Sequence, residues 1–196
     1  MERLPLKNNN RKDIIMSVVA GHLFEFHYAS EEAIEKIKSF IVSKISSSPV
    51  FQQTLTVLRD ENNEIRWFDK EGVIGFHADS DGFLFHRGED RGMFDPLVED
   101  GTCSKAVLTY WPDGGLDVEA VICEKSSGGL NHWFQAFAID DIRDAALENW
   151  FEEGRGSDED FEAEWEENGE ELISEFVQSE IEDFSPRFHG NWEKID

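Results

Sequence analysis

The chain has 196 residues, 39% of them hydrophobic and 12% aromatic, and its formal net charge is −25 at pH 7. Disordered acidic chains contain few aromatic residues, so this composition predicts a folded protein with a buried core. The charge excludes nucleic acid and anionic membranes as direct partners, because both would repel the protein. Basic proteins, cations and simple solubility are the explanations that the charge leaves open.

Residues 1–12 are polar and predict a flexible N-terminal arm. This arm lacks the apolar run of a signal peptide, and no apolar stretch of the sequence is long enough to span a bilayer. The two cysteines, Cys103 and Cys123, are too few for a disulfide framework and favour reduced thiols in a cytosol. We therefore expect a cytoplasmic protein, either of a bacterium or of a host cell.

Residues 13–139 are expected to form an α+β sheet domain. Apolar and polar side chains alternate up to Tyr28, which is typical of a strand. Ser30 is a suitable N-cap for a helix that extends to about Ser46. The apolar residues of this helix recur at the spacing of one buried face. They are Ile34, Ile37, Phe40, Ile41 and Ile45.

Three hairpins are predicted after this helix, with turns at Glu61–Asn63, Asp79–Gly82 and Pro112–Gly115. The later run "HWFQAFAI" is apolar enough to be a strand that is covered on both faces. Consecutive hairpins favour an antiparallel sheet, here of about six to eight strands. The early helix is expected to pack on this sheet.

Residues 140–196 are predicted to form an acidic helical segment that packs on the same domain. Three short helices are expected, over residues 140–153, 157–169 and 170–183. Ser157 and Asp160 have the spacing of a capping box at the start of the second helix. The tail that follows is expected to dock through Phe188 and Trp192.

Negative charge is concentrated in these helices. Between Asp144 and Asp183 there are seventeen acidic residues and one basic residue, Arg155. A helix rises about 1.5 Å per residue, so the acids after Asp158 recur about every 3 Å along the axis. One strand of duplex DNA carries a phosphate about every 3.4 Å. A rigid helix with this charge density resembles a nucleic-acid backbone in its electrostatics.

The charge pattern predicts a non-enzymatic inhibitor that binds the basic surface of a nucleic-acid-handling protein, with nucleic-acid mimicry as one mechanism. Two settings remain open: a phage or mobile-element protein that blocks a host nuclease, restriction or CRISPR complex, and an immunity protein that neutralises a nuclease toxin. The candidate partner-binding residues are Glu159, Asp160, Glu162, Glu164, Glu166, Glu167, Glu170, Glu171, Glu175 and Trp111. Trp111 is included as an exposed aromatic anchor.

The main alternative is an interaction module or adaptor that binds through sheet aromatics, with the acidic helices as a solvated face. A small hydrolase is a further alternative, but the sequence contains no nucleophile, phosphate-binding or dinucleotide motif. The segment "HADSDG" fails the ligand pattern of a calcium loop. His77 and His86, with Asp79, are an open possibility for a transition-metal site. The sequence predicts no catalytic residue, no metal ligand and no cofactor.

Overall fold

The computed structural model describes residues 19–49, 52, 55–81, 89–112, 117–184 and 191–195. The N-terminal arm and Phe188 lie outside the described residues. The elements are β1 (Val19–His27), α1 (Glu31–Ser47), β2 (Leu55–Val57), β3 (Trp67–Lys70), β4 (Val73–Asp81), a 3₁₀ helix (Glu89–Phe94), α2 (Asp95–Glu99), β5 (Lys105–Pro112), β6 (Val118–Ser126), β7 (Gly129–Phe137), α3 (Ile139–Glu152), α4 (Asp158–Asp183) and β8 (Glu193–Ile195).

The strands form one eight-stranded sheet in the order β2-β4-β1-β5-β6-β7-β8, with β3 also paired to β4. Each strand pairing in the described sheet is antiparallel. The predicted α+β fold is therefore confirmed. The central strand β1 begins the described chain, and its partners β4 and β5 come from distant segments.

The first face of the sheet is covered by α1, the 3₁₀ helix and α2. Ile37 and Ile41 of α1 are fully buried and belong to one cluster with sheet residues such as Phe24 and Phe76. The rings of Phe24 and Phe76 stack with their centroids 4.6 Å apart. The predicted apolar face of the early helix is thus the face that packs on the sheet.

The second face is covered by α3 and α4. Ile142 of α3 and Val177 and Ile181 of α4 are each 1% exposed or less. They share a cluster with Ile122 and Trp133 of the sheet. Fully burying an aliphatic side chain of this size stabilises the fold by about 1.5–3 kcal/mol. The acidic helices are therefore packed on the sheet and do not project from it.

The predicted turn at Asp79–Gly82 is wrong for its first residues. Asp79 lies inside β4, opposite Gly21 of β1 and Thr56 of β2. Backbone partners on both sides hold this segment extended, and tertiary pairing overrides its local turn propensity. His86 lies outside the described residues, so the alternative of a transition-metal site at His77, His86 and Asp79 is not tested.

The turn at Glu61–Asn63 is present, and Asn63 has a φ of 63°. A single bridge joins Arg59 to Ile65 across it. The flanking strands β2 and β3 pair with β4 instead of with each other. The third predicted hairpin corresponds to β5 and β6. Pro112, expected to begin its turn, is instead the last residue of β5 and pairs with Ala20, and residues 113–116 lie outside the described residues.

The C-terminal helices begin and end close to the predicted positions. α3 ends at Glu152, and α4 begins at Asp158. α4 consists of two helical parts that meet at a kink at Asn168, whose φ is −126°, beside the break predicted at Gly169. In the described part of the chain, no helix combines the length and apolarity that crossing a membrane requires.

Candidate partner interface

Helix α4 begins with the capping box that the sequence predicts. The Ser157 amide donates to Oδ2 of Asp160 over 2.8 Å, and the Asp160 amide donates to Oγ of Ser157 over 3.4 Å. The hydrogen bonds that the amide and the hydroxyl of Ser157 donate to Oδ2 of Asp160 lower the pKa of this carboxyl group. Asp160, one of the candidate binding residues, is therefore also a cap that orients the start of the helix.

Polar contacts under α4 add to its apolar anchoring. The Gln178 amide nitrogen donates to Oε2 of Glu25 on β1 over 3.0 Å. The Lys105 ammonium donates to the carbonyl oxygen of Ile181 over 3.1 Å. Burial raises the pKa of Glu25, although the Gln178 hydrogen bond lowers it in part. Because side chains alternate along β1, Glu25 and Phe24 face opposite sides of the sheet. The side that Glu25 faces is covered by α4.

The outer surface of α3 and α4 is strongly acidic. Among the described residues of these helices and their connection, ion pairs join Arg143 to Glu162 and Arg155 to Glu153. Most of the remaining acids are exposed without such a partner. The exposed acids that form no ion pair among the described residues are Asp140, Asp141, Asp144, Glu148, Glu152, Asp158, Glu159, Asp160, Glu166, Glu167, Glu171, Glu175, Glu182 and Asp183.

The predicted binding residues are distributed over this surface with few exceptions. Glu164 is half-buried and accepts a hydrogen bond of 3.0 Å from the Asn168 amide at the kink. The side chain of Glu170 lies outside the described part of the structure. Trp111, expected to be exposed, is partly buried and packs against the cluster beneath α3 and α4. It therefore contributes to the second face of the core.

The acidic helices border two grooves, one against the sheet and one between α3 and α4. The first, which we call the β7 groove, has a volume of about 320 Å³ and includes Gln135, Asp141, Glu180 and Glu193 in its lining. Gln135 is only 9% exposed, and its buried side-chain oxygen has no hydrogen-bond partner among the described residues. Each of these side chains can accept a hydrogen bond, so the groove suits a cationic donor.

The second groove lies between α3 and α4 and also has a volume of about 320 Å³. Its lining includes Trp150, Glu153, Glu175 and Glu180. Both volumes fall at the lower end of the range for ligand pockets, about 300–1,000 Å³. Glu180 borders both grooves, although no sequence pattern distinguishes it from the other acids.

A separate cluster on the first face combines Asp95, Cys123 and His132. One ligand atom from each lies within 4.8 Å of the others. Oδ1 of Asp95 is 2.8 Å from Nε2 of His132 and accepts a hydrogen bond of 3.4 Å from Sγ of Cys123. Burial, together with Asp95, raises the pKa of the Cys123 thiol. Both cysteines are free.

The spacing of Asp95, Cys123 and His132 in the sequence does not predict this cluster. Asp95 is separated from Cys123 by 28 positions and from His132 by 37. The two sheet residues are nine positions apart and become neighbours only through the β6–β7 register, in which Cys123 lies opposite His132. The usable signal was the turn "SSGG" between them, which the structure places in a tight hairpin from Ser126 to Gly129.

Compared with models of known protein families, with curated proteins and with solved structures, the chain matches none of them.

Proposed function

We propose that this protein is a non-enzymatic inhibitor whose α3–α4 surface binds the basic face of a nucleic-acid-handling protein. The observation that carries the proposal is the dense, exposed array of carboxylates on two helices that are anchored in the core. Exposed charge alone is common on helices and improves solubility. An array held by buried Phe161, Val177 and Ile181 is a fixed surface, which a disordered acidic tail does not provide.

Binding would follow the physics of nucleic-acid association. Basic side chains that normally neutralise phosphates would meet carboxylates of similar linear density and release their counterions. Each exposed ion pair contributes only about 0–1 kcal/mol, so affinity would come from many contacts together. A single Glu→Gln change on the outer surface should consequently alter binding little.

The β7 groove extends this proposal to a specific contact. Gln135, Asp141, Glu180 and Glu193 line the groove and offer acceptors to a cationic side chain. An arginine or lysine of the partner would satisfy the buried oxygen of Gln135, for which the described part of the chain supplies no hydrogen-bond partner. Such a socket would add orientation to an interface that is otherwise governed by charge.

Both settings given by the charge pattern fit this mechanism: a phage or mobile-element protein that blocks a restriction or CRISPR complex, and an immunity protein for a nuclease toxin. In either setting the target acts in the cytoplasm. The alternative adaptor, which binds through sheet aromatics, is less favoured because Trp111 is partly buried.

The test uses tag-free protein coupled to a resin and incubated with native host lysate at low salt. The proposal expects a nucleic-acid-binding protein that elutes at moderate salt and is displaced by added duplex DNA. Binding that survives high salt and ignores DNA would overturn it and favour the adaptor. The captured protein is then titrated with variants in solution.

Two variants with equal charge loss make the titration specific. The first carries Gln at Glu166, Glu167, Glu171 and Glu175 of α4, and it should lose binding by at least about tenfold, since each removed pair contributes up to about 1 kcal/mol. The control carries Gln at four exposed acids outside the acidic helices and should bind like the parent protein. Its positions are Glu31, Glu61, Glu64 and Glu71. Equal loss in both variants would mean that net charge, and not this surface, governs binding.

A further inference from the structure

The cluster of Asp95, Cys123 and His132 lies on the opposite face of the sheet from α3 and α4. Cys123 on β6 and His132 on β7 are directly opposite each other in the sheet register. Asp95, the first residue of α2, lies over this pair, with Oδ1 within 3.4 Å of both ligand atoms. Three elements therefore bring one sulfur, one nitrogen and one oxygen ligand atom to a common point.

The two distances from Oδ1 of Asp95 to the other ligand atoms are within about half an ångström of those in a metal coordination sphere. Zinc bonds of about 2.0–2.3 Å in tetrahedral geometry place neighbouring ligand atoms about 3.3–3.5 Å apart. The distance between Sγ of Cys123 and Oδ1 of Asp95 is already 3.4 Å. The 2.8 Å hydrogen bond between Asp95 and His132 would have to open by about half an ångström.

The mixture of donors selects the kind of ion. A thiolate and an imidazole prefer a borderline or soft ion such as Zn²⁺, whereas Mg²⁺ and Ca²⁺ prefer sites made only of oxygen. Three protein ligands with a free fourth position are typical of zinc sites that admit water or another small ligand.

The three ligand residues are reachable from solvent, and buried neighbours hold them in place. Cys123 is 5% exposed, but the side chains of His132 and Asp95 are 14% and 26% exposed, so an ion can enter from solvent. Phe94, Leu97 and Val98 are buried in the first-face core and hold the segment that carries Asp95. The ligands therefore lie on supported elements instead of a free loop.

We propose that Asp95, Cys123 and His132 form a binding site for one divalent transition-metal ion, with Zn²⁺ as the best fit. A bound ion would tie α2 to the β6–β7 hairpin and keep one coordination position for a small ligand. The site is independent of the acidic surface, because it lies on the other face of the sheet and uses none of its residues.

The test is titration of reduced, chelator-treated and tag-free full-length protein with Co²⁺, a spectroscopic substitute for Zn²⁺. One equivalent should bind and produce the visible bands of tetrahedral cobalt together with a thiolate-to-cobalt charge-transfer band. Competition with Zn²⁺ should abolish these bands. Absence of a stoichiometric charge-transfer band would overturn the proposal.

Variants decide which residues bind the ion. Cys123→Ser should remove the charge-transfer band, and Asp95→Asn and His132→Gln should each weaken Zn²⁺ binding by more than the roughly 10–100-fold that loss of an outer-shell partner costs. Cys103→Ala is the matched control, because Cys103 is also buried but lies outside the cluster, and it should retain the band.

Folding of each variant is checked by circular dichroism without metal. If Cys123→Ser does not fold, Asp95→Asn and His132→Gln, whose side chains are partly exposed, still decide the outcome. Zn²⁺ should raise the Tm of the parent protein and of Cys103→Ala, and it should raise the Tm of the folded Asp95, Cys123 and His132 variants much less, since only binding to the native state stabilises it. Equal shifts in the parent and in the Asp95, Cys123 and His132 variants would place the ion elsewhere and contradict the assignment.

Discussion

The helices on the two faces of the sheet pack against it in the same way but carry very different charge. α1, on the first face, carries three acidic and three basic residues, whereas α4, on the second face, carries thirteen acidic residues and no basic one. Both bury apolar side chains completely, as Ile41 and Ile181 show. A balanced helix covers a sheet face equally well, so the fold does not require the charge of α4. This contrast supports a role for the charge in binding.

The strongest test of the comparison is a pair of core substitutions. Ile41→Ala and Ile181→Ala each remove a buried isoleucine, one from each face, and each should lower the free energy of unfolding by about 2–5 kcal/mol. Urea denaturation followed by fluorescence and circular dichroism should give one transition for both. A separate early transition in Ile181→Ala would show that the acidic helices unfold independently of the sheet.

The second test uses two histidines on opposite faces of β1. Burial lowers the pKa of both His22 and His27 to about 4, with Lys105 adding to the effect at His27. The unfolded chain therefore binds protons more readily below pH 6.5, so stability is present above that pH and is lost as the pH falls towards 4.

Between pH 6.5 and 4, His22 should lower the free energy of unfolding by up to about 3 kcal/mol. The more exposed His27 should lower it by less. Unfolding free energies measured by urea titration at several pH values between 7 and 4 check this. His27→Gln should flatten the dependence in part, and His22→Gln should flatten it further. A profile that is identical in both variants and the parent would exclude these histidines as its cause.

The third test concerns repulsion within α4. Gln at Glu166, Glu167, Glu171 and Glu175 should raise the free energy of unfolding by about 1–2 kcal/mol at low salt, because several like-charged pairs at helical spacing are removed. The control with Gln at Glu31, Glu61, Glu64 and Glu71 should gain less. About 0.5 M salt should erase the difference through screening. A gain that persists in salt would point to packing instead of charge.

The smallest expected effect is the difference in stability between variants of two helix N-cap residues. Ser157 caps α4 through its side chain, whereas Ser30 precedes α1 without a side-chain capping bond. Ser157→Ala should therefore cost about 1 kcal/mol, and Ser30→Ala only a few tenths. Thermal unfolding of both variants measures the difference. Equal costs would mean that the capping box contributes nothing beyond the preference for serine.

Local patterns predicted the fold class and much of its content. The apolar repeat of α1, the capping box of α4 and the alternation in β1 depend on neighbours a few residues apart, so they are legible in the sequence. The short α2 segment and β8 were missed. α2 has only five residues, and β8 has three and exists through its pairing with β7.

The candidate sites also combine features that are visible in the sequence with features that arise only in the folded protein. The sequence by itself determined that the C-terminal segment is helical, apolar on one side and strongly acidic on the other, because charge and periodicity are local properties. Only the tertiary structure decided that α4 lies on the sheet, that Glu180 borders two grooves, and that Asp95 meets Cys123 and His132. These contacts join distant segments, and they depend on strand order and register, which no local pattern encodes.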